Sequence, residues 1–134
     1  MPQVIDIERE MAPLTFLEER HADSSEDDLA AAFATLAVYR DGGIFAGGFS
    51  GMSDWERHRN GDEIVQVLGG ATTITIVTES GPETFELTAG RMIVVPQGCW
   101  HRFHSKTGVR LMTVTPQPTD HSRTLEQAKP SDET

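Results

Sequence analysis

Four side chains in the middle of this chain could together hold a metal ion: Glu56, His58, Glu63 and His101. The first three lie in Trp55-Glu-Arg-His58-Arg-Asn-Gly-Asp-Glu63. The fourth ends the stretch Gly90-Arg-Met-Ile-Val-Val-Pro96-Gln-Gly98-Cys-Trp-His101. Alternate residues of an extended strand share a face, so Glu56 and His58 point one way and Arg57 and Arg59 the other. Taking the arginines as exposed turns Glu56 and His58 inward. Asn60-Gly61 then makes a tight turn, and Glu63 comes back beside His58. Val65 and Val67 share its inward face, and Gln66 points out. On the second stretch Pro96-Gln-Gly98 turns the chain. Cys99, His101 and Phe103 then alternate inward, while Trp100, Arg102 and His104 face the other way. Placed in one barrel, two imidazoles and two carboxylates converge. Such mixed nitrogen and oxygen donors suit one divalent ion, Fe(II), Mn(II), Ni(II) or Zn(II), whose charge the carboxylates balance. A metal-free polar pocket is the alternative, but two inward carboxylates repel, and one would have to take up a proton.

The elements that must position these groups read as strands. Thr35 to Tyr39 and Ile44 to Phe49 flank Asp41-Gly-Gly43, a hairpin-like turn in which glycine permits positive φ. Glu63 to Leu68 and Thr72 to Val77 flank Gly69-Gly70, read as a second such turn. Phe85-Glu-Leu87, Met92 to Val95, Trp100 to His104 and Val109 to Thr115 complete the series. Many short strands between frequent turns predict a sandwich or barrel. Ahead of them, Ser24-Ser-Glu-Asp-Asp28 followed by Leu29-Ala-Ala-Ala-Phe33 reads as a short helix with capping serines and acids at the positive end of its dipole. The organisation expected is an N-terminal arm over 1–34, a barrel over 35–116 and a polar tail over 117–134. The tail reads as loose, with a short helical patch at Thr124 to Lys129.

Inside a barrel, core and pocket coincide, so Phe45, Phe49 and Phe103 are candidates to line a substrate pocket. Cys99 joins them as a small, half-buried pocket residue, the more common state of such a cysteine than a reactive thiol or soft ligand. His21, His104 and His121 lie outside both stretches and read as solvated. Trp55 and Trp100 fall on the outward face and need cover from the N-terminal arm or a second subunit. That predicts a homodimer.

The 134 residues suffice for one domain with a real core. A net charge of −10 with scattered basic residues argues against nucleic acid and against an anionic membrane surface. No apolar run has the length to cross a bilayer. The N-terminal residues lack the pattern of a signal peptide, and Cys99 is the single cysteine, so the expected location is cytoplasmic.

The two stretches resemble the two motifs of the cupin superfamily. Gly90, Pro96, Gly98 and His101 fall at the spacing of the second motif. In the first, His58 takes the second histidine position and Glu63 the glutamate. The first histidine position holds Glu56, and the final asparagine position of the second motif holds Ser105. The family's ligand set therefore carries over at His58, Glu63 and His101, with Glu56 as a different ligand in the fourth place. The resemblance spans roughly residues 35–116 and implies an all-β double-stranded β-helix, or jelly roll. It also implies a metal-dependent enzyme for a small molecule: an oxygenase, decarboxylase, isomerase or lyase acting on a small organic acid or phenol. In that reading Glu56 is the candidate proton carrier. The other reading is a cupin domain that captures a small ligand without turning it over. The absence of a basic or helix-turn-helix segment favours the enzyme.

Overall fold

The computed structural model describes residues 2–124. In chain order they form α1 (Ile7–Met11), β1 (Leu17–Arg20), α2 (Glu26–Ala32), β2 (Phe33–Tyr39), β3 (Gly42–Met52), β4 (Trp55–His58), β5 (Glu63–Thr78), β6 (Gly81–Thr88), β7 (Met92–Val95), β8 (His101–Pro116) and β9 (Thr119–Ser122). The short helix appears where its caps lie: the Ser25 hydroxyl accepts from Asp28 N at the start of α2.

Two long strands build the barrel. β8 pairs with β3, β4 and β5, and β5 pairs with β6, β7 and β8. This is the expected jelly roll, with short helices on its N-terminal side. Inward side chains of both strands meet in one apolar cluster that includes Phe49, Val65, Val67, Ile74, Leu87, Phe103 and Leu111.

Gly69-Gly70 does not reverse the chain as expected. β5 runs straight through it, and the pairing with β8 slips there. Gly70 has φ +72°, and a Cβ on it would lie 2.2 Å from the Gly108 carbonyl oxygen, so this close crossing admits only glycine. The bulge shifts the strand by one residue. Buried positions are odd at Glu63, Val65 and Val67, and even at Thr72, Ile74 and Ile76. Ser105, in the place of the family's asparagine, fastens this crossing: its hydroxyl donates to Ala71 O at 2.6 Å and accepts from Gly108 N at 3.0 Å. In the β2–β3 turn the positive φ falls on Arg40, at 52°, rather than on a glycine.

Within the described residues, both flanks of the barrel are more ordered than expected. β1 pairs in parallel with β3, and α1 precedes it. Residues 119–122, expected to be loose, form β9 against β4. Thr124 is not helical, and the rest of the expected helical patch lies outside the described residues.

Arg57 faces away from the cavity as expected, but it is buried at 2% exposure. Its guanidinium lies 4.5 Å from the Trp100 ring centre and its Nε 3.0 Å from Asp120 on β9. Arg102 covers Trp55 in the same way, at 4.5 Å. Trp55, Trp100 and Val77 thus form a second buried cluster within one chain. The two tryptophans are covered within one chain and do not call for the expected homodimer. No helix among the described residues is long and apolar enough to cross a membrane.

Candidate metal centre

Strand alternation delivers three of the four expected ligands to one place. His58 ends β4, Glu63 opens β5 and His101 opens β8. The turn at Pro96 to Cys99 closes with Cys99 N donating to Pro96 O, and Gly98, with φ +78°, donates its N–H to His58 O. These bonds tie the His101 segment to the His58 strand. His58 Nε2 lies 3.3 Å from Glu63 Oε2, and His101 Nε2 lies 3.1 Å from Glu63 Oε1. One ligand atom from each residue fits within 4.8 Å of the others, and all three side chains are buried.

The outer atoms of these groups are committed. His101 Nδ1 lies 3.0 Å from the Cys99 carbonyl, which can only accept, so Nδ1 carries the proton. His58 Nδ1 lies 3.1 Å from the Thr119 hydroxyl, whose own proton goes to Gln117 Oε1. His58 Nδ1 therefore donates as well. Both Nε2 lone pairs are left facing Glu63. Thr115 donates to Glu63 Oε2 at 2.6 Å and is itself 2.8 Å from the Thr113 hydroxyl.

The inner atoms are not satisfied. Despite the short separations, His58 Nε2, His101 Nε2 and Glu63 Oε1 make no hydrogen bond of acceptable geometry. Orphaned polar atoms in a buried place are costly. Two imidazole nitrogens and a carboxylate oxygen converging on one point are the donor set a divalent transition metal takes. His58, Glu63 and His101 could hold such an ion.

The charges are arranged to match. Burial pushes the Glu63 carboxyl up, but His101 and then His58 outweigh it and hold it at about 2. Burial pulls His101 down, but Glu63, helped by Glu56 and the Cys99 carbonyl, raises it on balance. Without a metal, the site is therefore a Glu63 carboxylate beside a His101 that favours its proton.

Glu56 stands apart from the three. It lies opposite His101 across the β4–β8 pair, but its Oε1 is 3.7 Å from Nη2 of Arg20, on β1. The cavity above the site, about 260 Å³, is lined by Glu56, His58 and Glu63 together with the expected Phe45, Phe49 and Phe103. Cys99 is half-buried as expected, but it packs against the core and does not line the cavity. Arg20, Thr115 and Thr119 also line it and were not singled out from sequence, and His121, read as solvated, lines it too. Arg20 and Thr119 come from the two chain ends, where local pattern carries no signal of burial. His121 is largely solvent-exposed as expected, and its Nδ1 meets Asp54 Oδ2 at 2.9 Å. His21 and His104 are exposed.

The Thr119 contact has a measurable consequence. Thr119→Val removes the acceptor that holds the His58 ring, and divalent-ion affinity is expected to fall about 10–100-fold. Thr119→Ser should recover most of it. Competition against a chromogenic chelator reads both; an unchanged affinity in Thr119→Val would show that the hydroxyl does not orient the ring.

Comparison with known proteins agrees with this architecture. A cupin-2 domain-containing protein from Shewanella frigidimarina superposes with a TM-score of 0.53 at 26% identity, over 64% of this chain and 80% of that one. A conserved protein of unknown function from Streptococcus pyogenes gives 0.57 at 22% identity, over 88% and 90%. Hydroquinone 1,2-dioxygenase in complex with Cd2+ and 4-hydroxybenzonitrile gives 0.54 at 16% identity, over 63% of each chain. At the last two identities the likeness is one of fold. No curated protein sequence matches. The family model described as cupin domain matches residues 46–115, more than half of the chain and the stretches that carry His58, Glu63 and His101, so the chain belongs to the cupin family.

Proposed function

We propose that this protein is a metal-dependent enzyme that oxidises a small organic acid or phenol with dioxygen inside the barrel. The observation that carries the reading is the convergence of three buried, unsatisfied donor atoms, from His58, Glu63 and His101, at the wall of a cavity. Two imidazoles and one carboxylate would leave coordination positions open on a bound ion, the donor set suited to Fe(II) and dioxygen. A bound ion would supply Lewis acidity and a place for dioxygen. The chain's own part is positional. Cys99 O and Thr119 hold the two imidazoles by their Nδ1–H groups. Thr115 holds one oxygen of Glu63 and leaves the other turned to the centre. Phe45, Phe49 and Phe103 form apolar walls that bind a substrate body and exclude water. Glu56, at the cavity wall and outside the ligand cluster, is the group placed to move a proton.

The dioxygenase among the structural neighbours supports this reading by its name and its bound cadmium ion. Elemental analysis of purified, untagged protein, followed by an oxygen-electrode screen of small acids and phenols after anaerobic Fe(II) loading, tests it. The expected result is about one metal ion per chain and substrate-dependent oxygen uptake that a chelator abolishes. A protein that takes up no Fe(II), Mn(II), Ni(II) or Zn(II) would refute it.

A further inference from the structure

The geometry points to Arg20 as the anchor for a carboxylate group on the ligand of this cavity, so that the ligand is a small carboxylic acid with an apolar or aromatic body. This rests on the cavity being the substrate site. Arg20 comes from β1, outside both motifs, and its side chain is 10% exposed. It is aimed inward by a specific backbone device. Leu17 pairs with Phe49 and Arg20 with Gly51, so β1 fits one more residue than β3 over the same span. An ordinary strand would send Leu17 and Arg20 to opposite faces; the bulge puts Arg20 on the cavity side. The extra residue is accommodated at Glu19, which takes φ 54°, rare for a side chain of this kind. Glu19 N donates to the Ser50 hydroxyl at 3.0 Å. Gly51 completes the fit: with φ +97°, a Cβ there would lie 2.3 Å from Arg20 O.

Once inside, the guanidinium lies on aromatic rings, 4.8 Å from the Phe49 centre and 5.5 Å from that of Phe33. Its one ion pair among the described residues is Glu56, at 3.7 Å. A closed arginine–carboxylate pair comes to about 2.7–2.9 Å, usually with two parallel hydrogen bonds. The Arg20 fork is therefore oriented and still has donors to give. A divalent ion together with Arg20 outweighs Glu56 and Glu63 by one positive charge, which favours a monoanion. The fork matches a carboxylate. The Phe45, Phe49 and Phe103 walls match a flat or aliphatic body. A space of about 260 Å³ falls just below the usual range for drug-sized ligands, about 300–1,000 Å³, and so suits a small one.

Benzoate and its neutral isostere benzamide are the probes, titrated calorimetrically into metal-loaded wild type, R20M, R20K, E56Q and R20M/E56Q, with metal content measured on every sample. Benzoate should bind wild type at least about tenfold more tightly than benzamide, and R20M should erase that difference without loss of metal. R20K keeps the charge but not the fork, and should lose most of the preference. E56Q removes the competitor for Arg20, so benzoate should bind severalfold more tightly, but only while Arg20 is present. A merely structural Arg20–Glu56 pair predicts no gain from E56Q. Benzoate affinity within about twofold of wild type in R20M overturns the assignment. Equal tightening by E56Q in both backgrounds does so too, as does a wild type that binds no benzoate up to about 10 mM. Should R20M fail to fold, R20K and E56Q carry the test. A wild type without metal would refute the metal reading alone, since the benzoate–benzamide difference is still read on the metal-free protein.

Discussion

Glu63→Gln should lower affinity for a divalent ion by two to three orders of magnitude, whereas Glu56→Ala should change it by less than about tenfold. Glu63 is the one carboxylate placed between both imidazoles, 3.1 Å from His101 Nε2 and 3.3 Å from His58 Nε2. Glutamine keeps its shape and still accepts from Thr115, so the fold should persist while the negative charge is lost. Glu56 pairs with Arg20 and lies outside the cluster of three. Titration of each variant with Fe(II), Mn(II), Ni(II) and Zn(II) against a competing chelator reads the difference. Loss of metal in Glu56→Ala as severe as in Glu63→Gln would mean that Glu56 swings in as the fourth ligand, as the sequence motif suggests.

In chelator, the protein should be most stable between about pH 4.5 and pH 6.5, and it should weaken on both sides. Glu63 is held at about 2 in the folded chain, below its ordinary 4.5. Its contribution is fully present above pH 4.5 and is lost as pH falls toward 2. His101 is raised above its ordinary 6.5. Its contribution is fully present below 6.5 and is lost as pH rises through the raised value. A bound metal reverses the alkaline side, because it needs the His101 Nε2 lone pair and displaces that proton. Stabilisation by metal should therefore grow as pH rises from about 6 to 8. Thermal unfolding across that range, with chelator and with Zn(II), measures both limbs. Parallel curves in the two conditions would exclude His101 from the metal centre.

Much of the site was legible in the sequence because it depends on local rules. Strand parity placed Glu63, Val65 and Val67 on one face. The Pro96-Gln-Gly98 turn set the inward phase of His101 and Phe103, and motif spacing joined the two strands. What failed was the reading of Gly69-Gly70 as a hairpin turn, where β5 runs on through a bulge. A glycine pair can close a hairpin or let two strands cross closely. Only the Gly108 carbonyl, 2.2 Å from where a Gly70 Cβ would stand, decides between them.

The chain by itself determined the barrel, through its motif spacing, and the inward face of His58, Glu63, His101, Phe49 and Phe103, through strand parity and short-range turns. The tertiary structure alone decided what those groups meet. Thr119 reaches His58 across 61 residues. Arg57 is buried between Trp100 and a strand expected to be loose. Arg20 enters the cavity only because Gly51 has no side chain to block the β1 bulge. Such contacts join segments whose local patterns are silent, and a charged residue that looks solvated in sequence is buried when a distant strand supplies its partner.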